Sequence, residues 1–353
     1  MPEPLGKLSP RSFDRLIAPH LGEARPEVLV GPAPGLDAAI LKLGAGRVMA
    51  VTTDPLSIVP ALGPRLSAHL AAHLVASDLW TTGIPPAYAS VSLHLPPETA
   101  DASLEEFAAA LGITWRELGV AVVTGHTGRY PGLASTVVGA ATLMGVGDDG
   151  RYVTPAMAAP GDRVLITKGC AIEACAVAAR AIPKRLAAHL DPPALERARA
   201  MIDQVSVVRE CRALTRLGVR SRGVTAMHDA TEGGVLGGLI ELARACGHDL
   251  RIERARIPLS EEARAACQAW GGIDPYWALS EGALIACVKP ESLLPALAAL
   301  AEEGIAAAEV GEVMKGRGVV HLTGADGEIQ QLTEPEADPY WPAYERAMRE
   351  GWS

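Results

Sequence analysis

The sequence predicts a mixed α/β (α+β) protein built from two domains. The chain has 353 residues, more than the roughly 250–300 that a single hydrophobic core usually supports. Its composition, 49% hydrophobic and 21% charged, is typical of a globular chain. Apolar strand-like runs alternate with helical patterns in both halves. A stretch rich in Gly, Pro and Asp at 145–160 separates the halves, so we predict domains at residues 1–155 and 156–353.

The first half begins with a short helix near residues 11–20 and continues with strands and helices. Strands are predicted from apolar runs with a period of two or from runs bounded by turn residues, and helices from apolar spacings of three and four. These patterns predict strands at Ala38–Leu43, Arg47–Thr52, Ala87–Leu95, Val120–Val123 and Ser135–Met144, and helices at 64–80 and 104–118.

The second half repeats this alternation from residue 163. The same rules predict strands at 163–167, 224–227, 249–253, 283–288, 308–313 and 317–322. They predict helices at 172–181, 194–215, 233–246, 260–270 and 291–303.

Charge and cysteine content limit the classes of partner. A net charge of −9 disfavours nucleic acid or an anionic membrane as a partner, because both require a basic surface. The sequence has no apolar run of about 18 residues and no signal-peptide pattern. The six cysteines form no C-x-x-C pair. We therefore expect a reduced, cytoplasmic protein that binds neither nucleic acid nor membrane.

Two familiar phosphate-binding motifs do not apply. The sequence contains no G-x-x-x-x-G-K-[ST] motif. The segment Gly145–Gly150 matches G-x-G-x-x-G, but Arg151–Pro155 follows it and is not a helical sequence. A dinucleotide site requires a helix there, so we interpret the segment as a turn.

Four aspartates stand at the ends of apolar runs: Asp37, Asp54, Asp78 and Asp229. Alone, each would be interpreted as a turn former or helix cap. Gathered in one site they would repel one another unless cations neutralised them, and Mg²⁺ with a polyphosphate is the usual solution. Glycine-rich stretches, Gly31–Gly35 and Gly233–Gly238, would let the backbone approach phosphates, with Gly233 and Gly234 as cofactor-binding candidates.

Six segments in order resemble a known superfamily. It contains aminoimidazole ribonucleotide (AIR) synthetase, selenophosphate synthetase, thiamine-monophosphate kinase and the hydrogenase-maturation protein HypE. The matching segments are Gly35–Ile40, Thr52–Pro55, Ser77–Leu79 with Gly83–Pro86, Thr124–Thr127, Asp229–Gly234 and Leu279–Leu284. The last two resemble the HypE-like branch most.

The resemblance implies a fold, a ligand and an assembly. It implies a homodimer through the N-terminal domains, with ATP in a groove between them and Mg²⁺ held by aspartates. The implied metal ligands are Asp37, Asp54, Asp78 and Asp229; the implied phosphate-side turn is Gly125, His126 and Thr127; and the implied catalytic residues are Asp54, Asp78 and His126. The implied chemistry moves the γ-phosphoryl group of ATP to a small-molecule or protein-borne acceptor.

The sequence also departs from the superfamily pattern. Leu36 stands where a second Asp is common, and His126 stands where kinase members carry Asp. A HypE protein carries its substrate on a C-terminal cysteine, whereas the last cysteine here is Cys287. The resemblance therefore implies a HypE-like relative whose acceptor is unassigned.

Three hypotheses follow. The first is an ATP- and Mg²⁺-dependent enzyme that phosphorylates or dehydrates a small or carboxamide-type acceptor, mainly through positioning and charge neutralisation. The second is a nucleotide-binding maturation scaffold without catalysis, motivated by Leu36 and the missing cysteine. The third is a metal hydrolase using Asp54, Asp78 and His126.

Overall fold

The structure is a computed structural model that describes residues 5–133, 136–335 and 338–353. The chain forms two compact units. The N-terminal unit comprises Glu27–Gly31 and Asp37–Tyr152, and the C-terminal unit comprises residues 5–26, Pro32–Leu36 and the described part of Val153–Ser353. The first residues thus pack with the second half, whereas the sequence placed them in the first domain. The reason is local, because Lys7 hydrogen-bonds to two glutamates of the C-terminal unit.

The N-terminal unit is built on a six-stranded mixed sheet. Its strands are β1 Val28–Val30, β2 Ala39–Gly44, β3 Arg47–Ser57, β4 Tyr88–Leu95, β5 Ala121–Arg129 and β6 Val137–Asp148. Their spatial order is β1-β2-β3-β6-β4-β5. All neighbours are antiparallel except β4 and β5.

The C-terminal unit contains a second, seven-stranded mixed sheet. Its strands are β7 Arg163–Thr167, β8 Val224–Ala230, β9 Asp249–Glu253, β10 Ala283–Val288, β11 Ala307–Met314, β12 Val320–Thr323 and β13 Ile329–Gln331. Their order is β13-β12-β9-β11-β7-β10-β8. Every residue of β8 and β10 is buried, although β8 is the last strand in this order.

Helices flank both sheets, which confirms the predicted α/β (α+β) class. The α-helices are α1 Pro10–Leu16, α2 Gly63–Trp80, α3 Asp101–Glu117, α4 Ile172–Ala181, α5 Pro183–Leu186, α6 Pro192–Ala200, α7 Val208–Arg216, α8 Gly234–Cys246, α9 Glu261–Ala269, α10 Leu293–Glu302 and α11 Tyr340–Glu350. Among the described residues, none of them combines the length and apolarity that crossing a membrane requires.

The two faces of the N-terminal sheet differ. Helix α2 packs on β3 and β6, and α3 packs on α2. On this face Ala50, Leu56 and Val91 are buried. The opposite face is open: Tyr88 and Val146 are 48% and 37% exposed. The sheet therefore has one helix-covered face and one face of mixed apolar and polar side chains that its own unit leaves uncovered.

The structure corrects several predicted boundaries. Strand β3 continues to Ser57, so Asp54 lies within a strand rather than at its end. Strand β5 continues to Arg129 because it pairs with β4 along its whole length, so Gly125, His126 and Thr127 are strand residues rather than a turn. Asp229 likewise lies inside β8.

Two further predictions were wrong in extent. Strand β6 runs to Asp148, so most of the predicted turn at Gly145–Gly150 is strand. The helix predicted at 194–215 is interrupted and forms α6 and α7. Helix α11 was not predicted.

Candidate functional site

Thr52 joins two of the predicted aspartates in the N-terminal unit. Its buried hydroxyl, on β3, donates to the backbone oxygen of Asp37 at 2.7 Å. The same hydroxyl lies 3.1 Å from Oδ2 of Asp78, in the last turn of α2. The start of β2 and the end of α2 therefore meet at one point on β3.

Asp54 lies on the same face of the sheet as Thr52. The two residues are separated by one position on β3, and successive strand side chains alternate between faces. Asp54 pairs across the sheet with Ala141, which is buried on the helix-covered face. All three aspartates are half-buried. Carboxylate oxygens in such a group are the hard ligands that Mg²⁺ prefers.

The position of Asp78 has an energetic cost. A negative charge in the last turn of a helix faces the negative end of the helix dipole, which disfavours it by about 0.3–1 kcal/mol. The last turn of α2 contains no basic side chain that would offset this repulsion, and its first turn contains no acidic one. A bound cation beside Asp78 would remove the penalty.

His126 lies on the other face of the sheet. It is in register with Ser92 of β4, and Ser92 is in register with Ala140, which pairs with Pro55. This row belongs to the open face, and β5 lies three strands from β3, or about 14 Å at the usual strand spacing. Within one chain the structure therefore does not bring His126 to Asp54 and Asp78, which disfavours the hydrolase hypothesis.

Gly125 and Thr127 flank His126 and point to the opposite face. A Cβ added at Gly125 would lie 2.1 Å from the backbone oxygen of Val91, so only glycine fits between β5 and β4. Thr127 is exposed and in register with Leu93. The requirement for glycine at 125 thus has a packing reason that does not depend on a phosphate.

Asp229 belongs to the C-terminal unit, where it is 2% exposed on β8. Its neighbour His228 lies 3.0 Å from Oε2 of Glu241, and Lys7 Nζ lies 3.1 Å from Oε1 of Glu241. Burial raises the pKa of Glu241, but Lys7 and His228 outweigh it and lower the pKa to about 2. Asp229 therefore lies beside a fixed network of charged groups.

The glycines after β8 have structural functions of their own. Gly234 adopts φ +63°, and an added Cβ would lie 2.6 Å from the backbone oxygen of Tyr276. The amide of Gly233 donates to Asp338 Oδ2 at 2.7 Å. This amide is thus already used by a carboxylate, and its binding of a phosphate stays a prediction.

The C-terminal unit also contains a buried pair of glutamates. Glu173, in the first turn of α4, and Glu281, just before β10, are each 7% exposed and close enough to interact electrostatically. Burial raises the pKa of Glu173 and raises that of Glu281 well above its usual value. Burial also raises the pKa of the neighbouring Glu232. The pair is therefore a proton-holding group in a dry environment.

Glu173 follows β7, Glu232 follows β8 and Glu281 precedes β10. The three come together because the ends of β7 and β8 and the start of β10 share one edge of the sheet, where the Leu284 amide donates to Thr167 Oγ1 at 3.0 Å. Glu173 itself stands in an ordinary helix start and gives no sequence signal of this contact.

Lys168, directly after β7, uses its ammonium group within the C-terminal unit. Its Nζ donates to the backbone oxygens of Gln204 and Ser206 at 2.8 and 2.6 Å and pairs with Glu210 at 2.6 Å. Three N–H donors serve three acceptors, so Lys168 stabilises the break between α6 and α7.

Sequence comparison identifies the class of protein that this fold and these carboxylates define. The family model of the AIR synthase related protein N-terminal domain matches residues 35–146. The model of the corresponding C-terminal domain matches residues 159–323. The chain belongs to the AIR synthase-related family.

Within this family the chain is similar to HypE proteins. It is 30% identical over 312 residues to the carbamoyl dehydratase HypE of Escherichia coli, covering 86% of this chain and 87% of that protein. It is 29% identical over 290 residues to that of Bradyrhizobium diazoefficiens, covering 80% and 79%. A crystal structure of hydrogenase maturation protein HypE in complex with ATP aligns with a TM-score of 0.67 and 26% identity, covering 94% and 93%.

Proposed function

We propose that this protein is an ATP- and Mg²⁺-dependent enzyme that transfers a phosphoryl group to, or dehydrates, a carboxamide-type or other small acceptor. The observation that carries the proposal is the meeting of Asp37, Thr52 and Asp78, with Asp54 on the same face of the sheet. Membership of the AIR synthase-related family and the similarity to carbamoyl dehydratases support it.

The aspartates of the N-terminal unit are suited to a magnesium ion. In the proposed site Asp37, Asp54 and Asp78 hold Mg²⁺, which neutralises the terminal phosphates of ATP during transfer. Asp229 of the C-terminal unit is proposed as a further metal ligand. Because β2 pairs with β3 only as far as Val51, the part of β3 that carries Asp54 has a free edge toward a ligand.

The glutamate pair supplies proton transfer. In an amide dehydration, the amide oxygen attacks the γ-phosphorus and displaces ADP, the C–O bond then breaks to release phosphate, and the nitrogen loses both of its protons to give a nitrile. We propose that one of these protons passes to the released phosphate and the other to the Glu173–Glu281 pair, since a carboxylate whose pKa is raised is a stronger base than an ordinary one.

We propose that the active form is a homodimer in which the open face of the N-terminal sheet is covered by a second copy. The apolar side chains of that face, among them Tyr88 and Val146, favour such burial. His126 lies on the same face, so its proposed contact with phosphate would be made to the site of the other subunit.

The cysteines support a reducing compartment as the proposed location. All six are free thiols, and all but Cys246 are buried. Burial raises the pKa of Cys175 to about 12, which leaves its thiol unreactive at neutral pH. This pattern agrees with the cytoplasmic location expected from the sequence.

The first test is Asp54→Asn, with titration of ATP at millimolar Mg²⁺ by calorimetry. We expect Mg²⁺-dependent affinity to fall by about 100-fold or more, because one metal ligand loses its charge. Asp149→Asn, an exposed aspartate of the same unit, is the matched control. Unchanged affinity in the Asp54 variant would overturn the site assignment.

The second test mixes inactive subunits. His126→Ala and Asp54→Asn chains are denatured, combined in equal amounts and refolded, and phosphate release is measured. If His126 acts on the other subunit, half of the sites in each mixed dimer are intact, and about one quarter of wild-type activity returns. No recovery would place His126 outside the proposed site.

A non-catalytic nucleotide-binding scaffold is the second candidate. Leu36, where a second acid would supply one more metal ligand, is the observation that favours it. Phosphate release in the presence of acceptor amides distinguishes the two candidates. A scaffold binds MgATP but releases no phosphate with any amide, whereas the enzyme releases phosphate with its acceptor.

A further inference from the structure

Two alternating residues of β5, His126 and Gly128, and the residue after its end, Tyr130, form one arrangement on the open face of the N-terminal sheet. His126, Gly128 and Tyr130 are spaced by two, so they follow one another on the same face. Tyr130 folds back along the strand, and its Oη hydrogen-bonds to Nε2 of His126. The two rings are nearly parallel, with an interplanar angle of 26° and centroids 6.2 Å apart.

Gly128 is what permits this contact. A Cβ added at residue 128 would lie 2.6 Å from Tyr130 Oη and 2.8 Å from its Cζ. Both distances are shorter than van der Waals contact allows, so any side chain at 128 would displace the tyrosine ring. The pairing of His126 with Tyr130 therefore depends on glycine between them.

His94, on the neighbouring strand β4, packs against the rings of both Tyr130 and His126. Its ring meets the Tyr130 ring edge to face, with centroids 5.7 Å apart, and lies 6.2 Å from the His126 ring. The Nε2 of His94 is itself 2.9 Å from Ser92 Oγ. The imidazole of His126 is thus held by one hydrogen bond and by ring contacts on two sides, although its side chain is exposed.

We propose that Tyr130 is a positioning residue that fixes the tautomer of His126. A phenol is a much stronger acid than a neutral imidazole N–H, so the Tyr130 hydroxyl donates and Nε2 accepts. The proton of the neutral ring then resides on Nδ1, since the partner of one ring nitrogen sets the state of the other. In its neutral form His126 then presents Nδ1–H, a hydrogen-bond donor suited to an anionic oxygen.

This assignment defines what His126 recognises. An N–H donor binds a phosphate or carboxylate oxygen and cannot ligate a metal through the same nitrogen. The identification of that oxygen as one of the nucleotide phosphates rests on the proposed function; the tautomer itself does not.

The experiment uses the full chain labelled with ¹⁵N-histidine, in which the shifts of the two ring nitrogens distinguish the tautomers. The ring-nitrogen signals of His126 are identified as those that are missing from the spectrum of the His126→Gln variant. We expect the Nδ1–H form in the wild type and a mixture of tautomers in Tyr130→Phe, with Tyr88→Phe, on the same face, as the matched control. If Tyr130 had only a structural function, Tyr130→Phe would leave the tautomer of His126 unchanged.

Binding supplies the second readout. Tyr130→Phe should weaken MgATP binding by about five-fold, as expected for one lost hydrogen-bond constraint. Gly128→Ala should reproduce the tautomer change by displacing the ring. An Nε2–H tautomer in the wild type, or an unchanged His126 in both variants, would overturn the proposal. If the wild type binds no MgATP, the proposed function fails, while the tautomer result still decides the assignment of Tyr130.

Discussion

The two units use acidic side chains in opposite ways. In the N-terminal unit Asp37, Asp54 and Asp78 are half-buried; the Thr52 hydroxyl contacts the backbone oxygen of Asp37 and the carboxylate of Asp78. In the C-terminal unit Glu173 and Glu281 are almost completely buried, and the pKa of each is raised. Exposure to water keeps a carboxylate available to a cation, whereas burial makes the same group hold a proton. On the proposed function, this difference suits the carboxylates of the N-terminal unit to a cation and the buried glutamate pair to proton transfer.

The largest effect expected from this difference between the units is on turnover, when Glu281 is replaced. Glu281→Gln keeps the shape of the side chain and removes its ability to take up a proton. We expect turnover to fall by about 1,000-fold, within the range for loss of a general base. MgATP affinity should stay unchanged, because Glu281 is not one of the proposed metal ligands.

Phosphate release and calorimetric titration measure the two quantities separately. Glu261→Gln, an exposed glutamate at the start of α9, is the matched control. A Glu281 variant that turns over normally, or one that loses MgATP binding instead, would contradict the division between the units.

A smaller effect concerns stability against pH. The pKa of Glu281 is raised in the folded protein, so above the ordinary glutamate pKa of about 4.3 the folded state keeps a proton that the unfolded chain releases. The free energy of unfolding should therefore fall as pH rises through this window. Glu281→Gln should lessen the difference in melting temperature between pH 5 and pH 8.

The sign is opposite for Glu241, whose pKa is about 2 in the folded protein. Its contribution is present above the ordinary glutamate pKa and is lost as pH falls toward 2. The pH 5 to 8 window avoids this contribution. An identical pH dependence in wild type and Glu281→Gln would show that the pair holds no extra proton.

The smallest effect is on the free protein. Asp78→Asn removes a negative charge from the last turn of α2 and should raise the free energy of unfolding by about 0.5 kcal/mol without Mg²⁺. With Mg²⁺ and ATP the order should reverse, because the variant loses a metal ligand. Thermal denaturation with and without MgATP measures both. A destabilised free variant would mean that Asp78 has a structural function.

The sequence predicted the class of fold and the region of the acids, but not their geometry. Strands such as β7 and β10 matched because apolar runs bounded by turns mark buried strands. The end of β3 was misplaced because Pro55 suggested a break. Proline is tolerated there because β2 pairs only as far as Val51, so no partner on that side needs its N–H.

Two features of the candidate site could not be predicted from the sequence and are seen only in the folded structure. The face that carries His126 depends on the register of β5 against β4, including the shift between Ala89 and Ser90, which no local pattern specifies. The contact between Glu173 and Glu281 joins residues more than 100 positions apart, so it follows only from the arrangement of β7, β8 and β10.

The central claim is that the aspartates of the N-terminal unit hold a divalent cation with a triphosphate. Crystals grown with Mn²⁺ and a non-hydrolysable ATP analogue test it most directly, because Mn²⁺ replaces Mg²⁺ and is located by its anomalous scattering. We expect a peak at a coordination distance of about 2.2 Å from carboxylate oxygens of Asp54 and Asp78. A bound analogue whose only Mn²⁺ lies away from both carboxylates would contradict the claim.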